Sequence, residues 1–175
     1  MVRALTRLGH QVELLTFPEG DPVEVPGLTH RRCLPLPVGR VRAGPSLAKL
    51  LLDFPFMLEA VWRMTTGRFD VVHAVEEAAH LSAPFCRLLG LPLVMDIDSS
   101  IPDQLRYSGF ARRGPLLALA ELLERHALQR AHTVITVCTS LTEGVRRSAP
   151  DPVPVQGRSA GISPSGSGLS AAPLP

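Results

Sequence analysis

A chain of 175 residues with 45% hydrophobic content is long enough to bury one core of ordinary size, so one domain is the natural count. Its 18 basic and 16 acidic residues leave a formal net charge of +2, which excludes the clustered basic surplus of a dedicated nucleic-acid binder. Three widely spaced cysteines, Cys33, Cys86 and Cys138, exclude a disulfide framework and a CxxC zinc site. Each lies in an apolar stretch and reads as a small core residue in a reduced, cytoplasmic setting.

Met1–Leu8 carries Val2, Leu5 and Leu8 at helical spacing, with Gly9 as the stop. Arg3 and Arg7 interrupt its apolar pattern and no cleavage site follows, so a secretory signal is not expected there. Gln11–Phe17 reads as a strand, and a second short strand is expected over Arg31–Leu36 after a loop rich in Pro and Gly. A helix opens at Pro45, with Leu47, Leu50, Leu51, Phe54, Leu58, Val61 and Trp62 on one face and a kink expected at Pro55. The apolar stretch from Leu47 to Met64 is broken by Lys49, Asp53, Pro55, Glu59 and Arg63, so it does not read as a transmembrane span.

From Phe69 onward strands and helices alternate. Asp70–Ala74 is a buried strand, Ala78–Leu89 a helix closed by Gly90, and Leu93–Ile97 another buried strand. A polar connection containing Pro102 and Gly109 leads to a helix over Pro115–Gln129. A strand over Thr133–Val137, a helix over Ser140–Arg147 and a short strand over Val153–Val155 complete the alternation. Short apolar strands alternating with helices imply an α/β, Rossmann-like parallel sheet with helices on both faces. Residues Gly157–Pro175 are mostly Gly, Ser, Pro and Ala with no periodic apolar face, and are expected to be a disordered tail behind a domain spanning residues 1–156.

In an open parallel sheet ligands bind beyond the carboxyl ends of the strands. Two polar clusters stand there: His73 with Glu76 and Glu77, and Asp96 with Asp98, Ser99 and Ser100. Glu76 and Glu77 fall at a helix start, where the dipole stabilises a carboxylate by ~0.3–1 kcal/mol, so local sequence favours a structural role over sugar-hydroxyl binding. His73 reads equally as a satisfied core histidine and as a working one. His73 and His80 lack a third ligand at convincing spacing, so no metal site is expected. Asp96 and Asp98 share one face of an extended segment, which aims both carboxylates at one cleft.

Three readings compete for that second cluster. One is a metal-binding DxD, as in the GT-A class of glycosyltransferases. Another is the DxDxS motif of HAD-like phosphatases, with Asp96 as nucleophile and Asp98 as acid/base. That family also needs a downstream lysine and an acidic pair for magnesium. Lys49 is the only lysine, and after Asp103 the acids are Glu121, Glu124, Glu143 and Asp151, with no adjacent pair. A non-catalytic Rossmann-like binding module is a further alternative.

The third reading accounts for segments along most of the chain. Leu5–Thr16 (LTRLGHQVELLT), Asp70–Ala74 (DVVHA), Leu89–Asp98 (LGLPLVMDID) and Glu124–Cys138 (ERHALQRAHTVITVC), then Val145–Val155, resemble in order the acceptor-side N-terminal domain of the family-four-like GT-B glycosyltransferases. The resemblance covers Met1 to about Val155. It implies a retaining enzyme with two Rossmann-like domains facing across a cleft, one binding the acceptor and the other the nucleotide-sugar donor. It also implies metal-independent chemistry with no cofactor, basic side chains and backbone N–H groups meeting the donor phosphates.

Asp98 stands where many members carry a histidine near the reacting centre, and is the tentative catalytic residue. His73, Glu76, Glu77, Ser99, Ser100 and Gln104 are the acceptor-side binding candidates. Val75 and Cys138 depart from the family's usual His and Ser. The resemblance further implies a first strand with a glycine-rich loop and a nucleotide-binding domain, neither of which this sequence supplies. The expectation is therefore an incomplete sheet lacking its first strand, and a fragment inactive alone. The acceptor is a sugar, a lipid or another small molecule, with no nucleic acid. Arg40, Arg42 and Lys49 offer a peripheral contact to the inner face of a membrane, although an interfacial helix needs a stronger basic face than this.

Overall fold

The computed structural model describes residues 1–35, 47–107, 113–149 and 154–157, with the backbone alone over 47–52. Helix α1 (Val2–Arg7) leads into β1 (Val12–Thr16), which pairs in parallel with β2 (Leu28–Arg32), Val12 opposite Leu28. The second strand therefore lies earlier than expected. Leu28 and His30 are half-buried while Thr29, Arg31 and Arg32 are exposed, a mostly polar run that resembles a loop until β1 supplies a partner.

Helix α2 (Leu47–Thr66) runs through Pro55. Ala60, Val61 and Met64 join the core, whereas Phe54, Leu58 and Trp62, four residues apart, stand exposed on the outer face. No described helix is long and apolar enough to cross a membrane. Pro45, Arg40 and Arg42 lie outside the described residues, as does the expected tail from residue 158.

The larger sheet is built from β3 (Val72–Val75), β4 (Leu93–Ile97), β5 (Thr133–Thr136) and β6 (Val155–Gly157), all parallel and in that order. Gly157, assigned from sequence to the tail, is the last residue of β6. The connections are α3 (Glu77–Leu89), α4 (Ile101–Tyr107) with α5 (Pro115–Arg130), and α6 (Thr139–Ser148). This is the parallel α/β arrangement of a Rossmann-like domain. Its strands fall into two groups, β1–β2 and β3–β6, and no described strand bridges them.

Alternation along the strands sorts their side chains. Leu93, Met95 and Ile97 are buried with Ala74 and Val134 in one cluster against Ala79, Ala83 and Cys86 of α3, Ala127 and Leu128 of α5, and Val145 of α6. Thr136 lies on this same face, and its hydroxyl is satisfied by Thr142 of α6 at 2.6 Å. Gly90 ends α3 with φ +67°, the left-handed conformation that a side chain resists, and its N–H bonds back to Arg87.

Helix α4 corrects the expected polar connection. Ser100 precedes it, its hydroxyl 3.5 Å from the Asp103 N–H, and Pro102 occupies the first turn, where a missing N–H costs nothing. Ile101 and Leu105 then pack on Leu117 and Ala120 of α5 as a small second cluster.

Candidate functional site

A groove of about 750 Å³ opens at the carboxyl end of β4 and runs between α5 and α6, with α4 as a wall. Ile97 and Asp98 enter it from the strand end, Ser99 and Ser100 from the β4–α4 connection, Gln104 from α4, and Cys138 and Ser140 from the start of α6. The groove brings together four of the expected site residues: Asp98, Ser99, Ser100 and Gln104.

Two of these hydroxyls are already occupied. Ser99 Oγ accepts a hydrogen bond from Gln104 Nε2 at 2.6 Å, and Ser100 Oγ donates to Glu124 Oε1 at 2.9 Å. Asp98 is exposed at the lip of the groove. It is the carboxylate most directly available to a ligand hydroxyl.

His73, Glu76 and Glu77 do not line the groove. His73 Nε2 stands 3.5 Å from Oδ2 of Asp96, whose side chain is only 4% exposed. Asp96 is on the opposite sheet face from Ile97, so the expectation that Asp96 and Asp98 enter one cleft is overturned. Asp98 comes after the strand's last residue, where alternation no longer governs direction. Withdrawal of Asp96 also removes the nucleophile that the phosphatase reading requires. Among the described residues no group of His, Cys, Asp and Glu is arranged to hold a metal ion.

Glu76 caps the β3–α3 turn with φ 50° and ψ −125°, the one non-glycine positive φ among the described residues. Its backbone is pinned on both sides. The N–H donates to the Asp96 carbonyl at 2.9 Å, and the carbonyl accepts from Ala79 N and from His80 Nδ1, each at 3.0 Å. Glu77 occupies the first turn of α3.

Sequence reading missed the residues that organise the groove wall. Glu124 Oε2 accepts from the Ile101 N–H at 2.9 Å while Oε1 takes the Ser100 hydroxyl, so one carboxylate holds the start of α4. Burial pushes the Glu124 carboxyl upward, against the pull of those two donors. The signal was present. Leu117, Ala120, Glu124, Ala127 and Leu128 follow helical spacing, which places an acid inside an otherwise apolar stripe.

Arg106 is a second organiser, gripping Asp103 at 2.7 Å on its own helix and Glu121 of α5. Arg125 and Arg147 add positive charge to the lining.

Cys138 corrects another expectation. Cys33 and Cys86 are buried as expected, but Cys138 is exposed in the groove. A hydrogen bond with the Ser140 hydroxyl and the Leu141 N–H lower its thiol pKa, whereas burial pushes Cys86 up to about 11.

Residues 1–156 match the family model described as "Glycosyl transferase 4-like domain", in agreement with the resemblance carried by LTRLGHQVELLT, DVVHA, LGLPLVMDID and ERHALQRAHTVITVC. No curated protein matches the chain.

Proposed function

The chain belongs to the glycosyl transferase 4-like domain family, and from that premise we propose that it forms the acceptor side of a retaining glycosyltransferase that uses a nucleotide-sugar donor. The observation that carries this reading is the groove at the carboxyl end of β4, with Asp98, Ser99 and Gln104 at its rim. Sugars present several hydroxyls, and a carboxylate accepting from a hydroxyl makes a short, charge-assisted bond.

In this reading Asp98 touches the substrate nearest the reacting centre, and Gln104 with Ser99 orients a neighbouring hydroxyl. Ser100, committed to Glu124, holds the wall in place. His73, Glu76 and Glu77 extend the acceptor side at the adjacent tip of β3, which the Glu76-to-Asp96 backbone bond fixes beside β4. In this reading a second Rossmann-like domain grips the donor, while the groove described above receives the acceptor. The charge on the departing nucleotide is met by basic side chains and backbone N–H groups, with no metal. The acceptor is a sugar, a lipid or another small hydroxyl-bearing molecule in the cytoplasm. A lipid acceptor would bring the inner face of the membrane against the same surface.

The test is a backbone-amide NMR titration with a panel of methyl glycosides and, separately, with UDP and GDP. Glycosides are expected to move the Asp98, Ser99 and Gln104 amides, and Asp98→Ala to abolish that response. Nucleotide shifts in the groove without any glycoside response would overturn the acceptor-side assignment.

A further inference from the structure

Beneath the groove wall, α3 and α5 bring two buried polar side chains face to face. His80 Nε2 lies 3.9 Å from Glu124 Oε2, with the side chains 8% and 13% exposed. The other ring nitrogen fixes the histidine tautomer. Nδ1 faces the Glu76 backbone carbonyl at 3.0 Å, and a carbonyl only accepts, so Nδ1 carries the hydrogen. In a neutral ring Nε2 is then a bare lone pair, and it has no hydrogen-bond partner among the described residues. It confronts a carboxylate oxygen, which is also an acceptor. Two acceptors meet across a buried gap that a single proton would close.

We propose that His80 and Glu124 form a one-proton clasp, in which a proton shared between Nε2 and Oε2 ties the β3–α3 turn to the start of α4 and so sets the groove wall. Each side chain already grips one of these two segments. His80 holds the strained Glu76 carbonyl, and Glu124 holds Ser100 and the Ile101 N–H. With the proton absent, the two side chains are not bonded to each other across the gap. When solvent supplies it, a charge-assisted hydrogen bond draws the heavy atoms from 3.9 Å to about 2.8 Å. The clasp belongs to the fold and does not depend on the sugar-transfer reading.

The surrounding charges do not satisfy the gap otherwise. On α3, Glu77 favours a charged His80. On α4, the charges of Asp103 and Arg106 act on Glu124 in opposite directions. Glu121 of α5 is engaged by Arg106. Across the sheet, His73 and Asp96 pair with each other on the opposite face. On α2, which packs against α3, Arg63 bridges Glu59 and Glu13. From α6, Arg147 turns its Nε to the Glu143 carbonyl. Burial lowers the His80 pKa and raises that of Glu124, which moves the two groups toward one another.

The experiment is an NMR titration of the 175-residue chain, from about pH 8 to about pH 4.5, following the His80 ring nitrogens and the Ile101 amide. The two probes are expected to move together with one shared midpoint. Glu124→Gln keeps an acceptor for Ile101 and turns its amide toward Ser100, so the wall stays anchored without a carboxyl to titrate. In that variant the Ile101 response should vanish and the His80 midpoint should fall. His80→Gln is the second variant, and there the Ile101 midpoint should drop below that of the unmodified chain. Independent midpoints in the unmodified chain, or a variant that leaves the surviving partner's midpoint unchanged, would overturn the clasp. A purely structural contact would alter stability without moving either midpoint.

Discussion

The tips of β3 and β4 present the same sequence signal, acids directly after a short apolar strand, yet they are built for different tasks. At β3 the acid Glu76 is folded into a strained turn whose backbone is bonded to Asp96, Ala79 and His80. At β4 the chain leaves the sheet at Ile97, and Asp98 stands exposed at the lip of a groove of about 750 Å³. The difference lies in the connection that leaves each strand. One tip enters its helix at once. The other crosses Ser99 and Ser100 before α4 begins, and that short excursion opens space. A polar cluster at a strand end thus marks a junction, and the length of the connection decides whether the junction becomes a joint or a rim.

Both tips rest on one sheet, and the strongest way to break the contrast between them is to weaken that support. Met95 is fully buried between Ala74 and Val134. Met95→Ala should cost about 2–5 kcal/mol by creating a cavity, and Met95→Leu under about 1.5 kcal/mol. Chemical denaturation monitored by circular dichroism measures both. If Met95→Ala cost less than Met95→Leu, the two tips would not share this core.

At a pH above the midpoint of the His80–Glu124 clasp, where the shared proton is absent, Glu124→Ala should act on the β4 tip alone. It leaves the Ser100 hydroxyl and the Ile101 N–H without their acceptor, a loss of about 1–3 kcal/mol if water does not replace it. Hydrogen exchange should accelerate at Ile101 and Gln104 while Ala79, at the β3 tip, keeps its protection. Equal acceleration at both tips would erase the distinction between them.

The β3 tip can be probed through its backbone. A non-glycine residue held in a sparsely populated region stores about 1–3 kcal/mol, so Glu76→Gly should be more stable than Glu76→Ala by about 1 kcal/mol. Both variants lose the same carboxylate, which isolates the strain. Matching melting temperatures would mean that the turn relaxes and that Glu76 is not strained in solution.

Most of this architecture was legible because the strands β3, β4 and β5 are short apolar runs and the helices between them repeat at helical spacing. Leu93–Ile97 is read from sequence at its observed ends, since a buried central strand is mostly apolar and sharply bounded, Asp96 being its one polar residue. The strand Leu28–Arg32 escapes such a reading because an edge strand needs only one buried face and reads as polar. Helix α4 escapes it because Pro102 reads as a breaker unless Ser100 is recognised as its cap. For the site, strand ends locate Asp98, Ser99, Ser100 and Gln104, but Glu124 and His80 meet across two helices. Their partnership depends on how α3 and α5 cross, and no local pattern encodes that.

The smallest thermodynamic effect bears most directly on function. Asp98 is exposed, lies just past the last residue of β4, and contributes no side chain to the buried cluster. Asp98→Ala should therefore change stability by no more than about 0.5 kcal/mol, as surface substitutions away from caps and cores do. Asp96→Ala, by contrast, removes a buried carboxylate beside His73 and should destabilise the sheet by about 1–3 kcal/mol. On the proposed reading, two aspartates two residues apart thus separate into one that serves the fold and one that meets the acceptor. Thermal melts of the two variants, alongside methyl-glycoside titrations, read both properties. The assignment stands if Asp98→Ala melts like the parent and loses glycoside binding. It fails if Asp98→Ala destabilises as strongly as Asp96→Ala, because Asp98 would then be part of the scaffold and the groove would lack its most available carboxylate.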